Sequence, residues 1–161
     1  MRSKLTALLI GVLAVVFVAA AGIGGSLYWN RVTQRGQEAA RTELPAVAAD
    51  QIPKVFGYDY QTVERSLTET YPLLAPDFRQ KFEQDATAKV IPEARKRQLV
   101  VQISVVGVGV MAAERESGSV LVYMNRTVTD KSRQPLYDGS RLRVDYRKIG
   151  GNWLINAINP I

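Results

Sequence analysis

Residues 99–110 read LVVQISVVGVGV. Leu99, Val101, Ile103 and Val105 alternate with Val100, Gln102 and Ser104, the period of two of a half-buried strand. From Val106 the apolar residues change phase: Val106, Val108 and Val110 are separated by Gly107 and Gly109. A phase change with glycines predicts a bulge or sharp bend within one long strand.

Downstream the same period recurs. Residues 114–119 read as a turn, 120–129 as a second strand and 130–134 as a polar loop. Residues 140–149 form a third strand, with Leu142, Val144 and Tyr146 inward and Arg141, Arg143, Asp145 and Arg147 outward. Gly150-Gly151-Asn152 is a hairpin turn, and 153–158 is the fourth strand.

Upstream, 50–98 reads as short helices. Thr62, Val63, Ser66 and Leu67 have helical spacing until Pro72. Pro76 and Asp77 suit the first turn of a second helix, whose buried face is Phe78, Phe82, Ala86 and Val90. Pro92 breaks that helix. Helices followed by an antiparallel meander predict an α+β domain over 50–161, with a four-stranded sheet curved around the helices.

Residues 30–49 are alanine-rich and polar, and predict a helical stalk or linker, weakened at Gly36 and bent or restarted at Pro45. Before them, 5–28 contain no charged residue. As a helix this run is about 36 Å long, against a bilayer core of about 30 Å. A transmembrane helix is expected over 5–29, behind a cytoplasmic tail at 1–4. Ala19-Ala20-Ala21 offers a signal-peptidase site, but the apolar run continues past it, which favours a retained anchor. Arg2, Lys4, Tyr28, Trp29 and Arg31 are the expected membrane-interface residues. Ala20 with Gly24, and Ala21 with Gly25, have the spacing of a close helix–helix contact, hence of a homo-oligomer.

The 161 residues include neither cysteine nor histidine. Disulfides, thiolate metal sites and any triad or dyad that uses histidine are therefore excluded. The formal charge is +6, from 21 basic and 15 acidic residues spread along the chain. Such a spread predicts no nucleic-acid partner; mixed charge that keeps the domain soluble explains it, and attraction to a membrane surface is compatible with it.

Gly107-Val108-Gly109-Val110-Met111-Ala112 matches a loose dinucleotide pattern, but lacks room for the helix that would hold a pyrophosphate. No catalytic, cofactor or metal residues are expected. Arg95, Lys96 and Arg97, with Arg141, Arg143 and Arg147, are candidate partner-docking groups, or simply solvated faces. Tyr58, Asp59, Tyr60, Phe78, Phe82 and Trp153 are the candidate pocket between helices and sheet, where core packing also accounts for the aromatic rings. There a buried Asp59 would be the acid able to enolise a small ligand.

The layout resembles the actinobacterial Mce-associated membrane proteins. The similar features are the tail and span, Tyr58-Asp59-Tyr60, Leu74-Ala75-Pro76-Asp77-Phe78, and the strand segment at 120–125. The run at 139–144 and the ending Gly151-Asn152-Trp153-Leu154-Ile155-Asn156 are similar too. The resemblance implies a domain like VirB8 and nuclear transport factor 2, with no catalytic residues. It also implies an accessory subunit of an Mce-type lipid-import complex, partnered by permease or Mce proteins, in the cell (inner) membrane with its domain extracytoplasmic. A VirB8-like scaffold of a secretion or conjugation system, and a small-ligand binder or isomerase, stay open as alternatives.

Overall fold

The computed structural model describes residues 32–161. The expected span and the residues Arg2, Lys4, Tyr28, Trp29 and Arg31 lie outside them. The chain divides into two compact units, Met1–Gly36 and Gln37–Ile161. Residues 32–36 of the first are helical; all that follows concerns the second. No helix among the described residues is long and apolar enough to cross a membrane.

In this unit helix α1 runs over 37–56. Ala40, Leu44, Ala48, Ile52 and Val55 repeat on one face and are each at most 2% exposed. Residues 37–49 of the expected helical stalk or linker are thus helical and lie in the compact unit that starts at Gln37, and the helix passes through Pro45. The energetics explain why. An interior proline costs about 3 kcal/mol, whereas burying Leu44, Ile52 and Val55 returns roughly 1.5–3 kcal/mol each.

The helix ends at a close approach. The Gly57 amide donates to Pro53 O at 2.9 Å, and a Cβ at residue 57 would lie 2.6 Å from that oxygen. The chain then enters strand β1 (Tyr58–Asp59), which pairs antiparallel with Val100 and Val101. The sheet therefore has five strands, not the expected four. Two residues are too few to display a period.

Helix α2 (Val63–Thr70) buries Val63, Leu67 and Thr70. Pro72 sits in the 3-10 turn that follows, Tyr71–Leu73. Helix α3 (Pro76–Asp85) begins with Pro76 in its first turn, as expected. It continues through a π-turn (Ala86–Val90) into α4 (Ile91–Arg97). Pro92, the expected breaker, does not end the helical run: it stands at the start of α4, directly after the π-turn, and the run continues to Arg97. Gln98, with φ of 55°, closes α4 in the left-handed conformation.

The sheet order is β1-β2-β3-β4-β5, with β2 Val100–Ala113, β3 Ser117–Thr129, β4 Pro135–Ile149 and β5 Asn152–Pro160. All four neighbouring pairs are antiparallel. The phase change in β2 is a bulge at Val106, and a second falls at Met111. Both bulged side chains are exposed, 67% and 56%. The turn between β4 and β5 uses Gly150 and Gly151 at φ of 58° and 86°, as a type I′ turn requires.

The principal core joins α1 to the inner sheet face through Val120, Val122, Leu142, Val144, Tyr146 and Ile155. A second cluster gathers Val63, Leu67, Ala86, Ala94 and Leu99 under the short helices.

Tyr146 is 2% exposed and its hydroxyl has no hydrogen-bond partner among the described residues. Burial pushes the pKa of that hydroxyl well above the ordinary tyrosine value. Deleting an unpaired buried hydroxyl removes its desolvation cost, so Tyr146→Phe is expected to stabilise the domain by about 1 kcal/mol. Thermal melts of the two proteins test this. A lower melting temperature for the variant would show that the hydroxyl contributes to the fold.

Candidate functional site: an apolar cleft and two basic faces

A half-open cleft of about 710 Å³ lies between the short helices and the inner face of β2, β3 and β4. Leu67, Phe82, Leu99, Val101, Met124 and Leu142 form much of its wall. The charged side chains that line it are Arg97, Arg126 and Arg141; among the described residues no side-chain carboxylate lines it. Arg126 reaches the inner face because it follows Val120, Val122 and Met124 at the same parity of β3. Cross-strand, it faces Asp138 and bonds it, Nη2 to Oδ2, at 2.8 Å. Arg97 sits 3.6 Å from Glu93 and 3.8 Å from Asp130.

Of the expected pocket residues, Tyr58 and Phe82 line this cleft, whereas Asp59, Tyr60, Phe78 and Trp153 do not. The Asp59 carboxylate accepts the Gln61 amide at 2.8 Å and fixes the turn into α2. The Tyr60 hydroxyl accepts from Gln61 Nε2 at 3.1 Å. Phe78 packs tilted against Phe82, with ring centroids 6.3 Å apart. Trp153 belongs to the α1–β5 contact, where its Nε1 donates to Glu43 Oε2 at 2.7 Å. The acid expected to enolise a ligand is thus not in the cleft. Burial raises the pKa of the Tyr58 hydroxyl; Arg126 draws it down and Glu93 pushes it up.

The six candidate docking residues divide by what holds them. Arg95 bridges α4 to α2 through Glu64 at 3.0 Å. Arg97 is shared between Glu93 and Asp130, and Arg143 pairs with Asp145 at 3.0 Å. Lys96, Arg141 and Arg147 have no ion pair among the described residues. The register places Arg141 beside exposed Tyr123. All six residues are exposed. At such sites ion pairs contribute about 0–1 kcal/mol, so even the paired members remain available for exchange.

Sequence reading missed Arg126, Met124, Leu99 and Leu142 as cleft residues. The alternation of β3 did carry a signal, because an arginine falls in register with three buried apolar residues.

No family model matches the chain. An outer membrane protein of Mycobacterium tuberculosis, Rv1973, is 28% identical over 149 residues, covering 92% of this chain and 91% of the relative. Among solved structures, an IcmL-like type IV secretion system protein of Legionella pneumophila superposes with a TM-score of 0.65. It is 10% identical, covering 75% of this chain and 93% of that one. The Agrobacterium tumefaciens VirB8 protein gives 0.56 at 14% identity, covering 72% and 88%. At these identities the likeness shows the fold: the domain is VirB8-like, an α+β arrangement with helices on a curled antiparallel sheet.

Proposed function

We propose that the chain is a non-catalytic, membrane-anchored assembly subunit of a multiprotein complex in the cell envelope. The observation that carries this reading is the VirB8-like fold, extending over most of the chain in a type IV secretion system protein. The anchor is the uncharged run at 5–28, with the tail cytoplasmic and the domain extracytoplasmic in the cell membrane. The exposed basic residues Lys96, Arg141 and Arg147 supply a surface for acidic partner segments.

Two complexes fit the reading. The run of similar segments from residue 58 to residue 156 favours an Mce-type lipid-import complex, with permease or Mce proteins as partners. The solved neighbours favour a secretion or conjugation scaffold. Gentle detergent extraction of the tagged full chain from its own host, followed by mass spectrometry, separates them. Mce and permease subunits are expected in the eluate, and secretion-channel subunits would replace the first complex by the second. Recovery of the chain alone would overturn the assembly reading.

A further inference from the structure

The cleft combines features that assembly does not require. Its walls are aliphatic and aromatic, its volume falls in the range of sites that enclose small molecules, and every charged side chain in its lining is an arginine. We infer that it binds a single-chain amphiphile with a carboxylate head, a long-chain fatty acid. The inference rests on the cleft alone and not on the assembly reading.

The acyl chain would lie along Phe82, Leu99, Val101, Met124 and Leu142, shielding apolar area now open to water. The head would meet Arg126 and Arg97. Each of these already faces carboxylates, Asp138 for Arg126 and Glu93 and Asp130 for Arg97. A ligand carboxylate therefore exchanges like for like at planar donor forks. Both arginines are about half exposed, as are Glu93 and Asp138, so displacing their acids costs little. Because those acids stand outside the lining, the charged side chains that an anion entering the cleft meets are the three arginines. A cationic or zwitterionic head would find no side-chain carboxylate in that lining to answer it. Tyr58 adds a hydroxyl on the same wall as Arg126, protonated at neutral pH and able to donate.

The test uses the full chain in phosphatidylcholine nanodiscs and a palmitate carrying a diazirine near the end of its chain. Photolysis should place label on peptides containing Met124 or Leu142. Unlabelled palmitate should compete at a tenfold or more lower concentration than hexadecanol, and Arg126→Gln should abolish that preference while leaving the thermal melt unchanged. Val128→Trp, which fills the cleft from β3, should cut the labelling at least tenfold. If that variant melts early, Leu136→Trp at the exposed rim takes its place. Label confined to residues 5–28, or equal competition by palmitate and hexadecanol, would overturn the inference. Neither outcome bears on which proteins co-purify with the chain.

Discussion

Leu44→Ala should lower the unfolding free energy of the full chain by about 2–5 kcal/mol, with a fall in melting temperature on the order of 10 °C. Leu44 is fully buried between α1 and the sheet. On the far side of its contact is Gly118, where a Cβ would run into the Leu44 side chain and lie 3.2 Å from Ala112 O. Gly118→Ala alone should therefore overpack the interface, at about 1–3 kcal/mol. Combining the two removes the leucine methyls that the new Cβ would strike. The double variant should then be less destabilised than the sum of the singles, with a coupling of about 0.5–3 kcal/mol. Urea unfolding of the four proteins measures the cycle. A free helical stalk or linker at 30–49, as the sequence alone suggests, makes the opposite forecast: Leu44→Ala changes nothing and the coupling is zero.

Why that linker looked plausible is instructive. The stripe Ala40, Leu44, Ala48, Ile52, Val55 is present in the sequence at spacings of four and three. Alanine contributes little contrast to such a stripe, and Pro45 argues locally for a break. Only the sheet face opposite decides that the helix gains more by continuing. The strands were easier to read, because Leu142, Val144 and Tyr146 alternate with charged residues, and a period of two is a local property. Their ends were not. Pro135, Asp138 and Gly139 disfavour a strand by composition, yet β4 begins at Pro135 because each residue from there pairs with β3. Strand β1 was invisible for a related reason: its two residues acquire their conformation from Val100 and Val101.

The site was legible by residue type and not by place. Tyr58, Phe82 and Trp153 were all read as meeting between helices and sheet, and all three are at least half-buried there. Aromatic character carries no information about which end of a sheet a ring occupies. Trp153 is in β5, close to α1, whereas Tyr58 opens into the cleft through β1. Asp59 was misplaced by one residue of strand parity and by its turn bond to Gln61. Arg126 was the reverse case, a charge whose inward position follows from counting along β3.

Trp153→Ala should cost about 3–5 kcal/mol, and its pH dependence should reveal why. The ring is 5% exposed; Nε1 donates to Glu43, and the Trp153 carbonyl accepts from Gln51 Nε2 at 3.1 Å. Lys148 Nζ lies 5.0 Å from the ring centroid and 3.0 Å from Glu43 Oε2. The indole, then Lys148, hold the Glu43 carboxyl below its ordinary value of 4.5. A carboxyl depressed in the folded state contributes stability that is fully present above the unfolded value and is lost as the pH falls through the folded one. The parent protein should accordingly lose stability as the pH falls below that ordinary value of 4.5, partly through this group. Trp153→Phe keeps most of the packing and deletes the donor. Its loss should be smaller than that of Trp153→Ala, and its urea midpoint should fall less steeply on acidification than the parent's. An acid limb of the same slope in both would show that the indole leaves the Glu43 carboxyl unshifted. Because Trp153 is outside the cleft lining, Trp153→Phe should also leave palmitate labelling unchanged, which separates the bolt that holds α1 to β5 from the surface that meets a ligand.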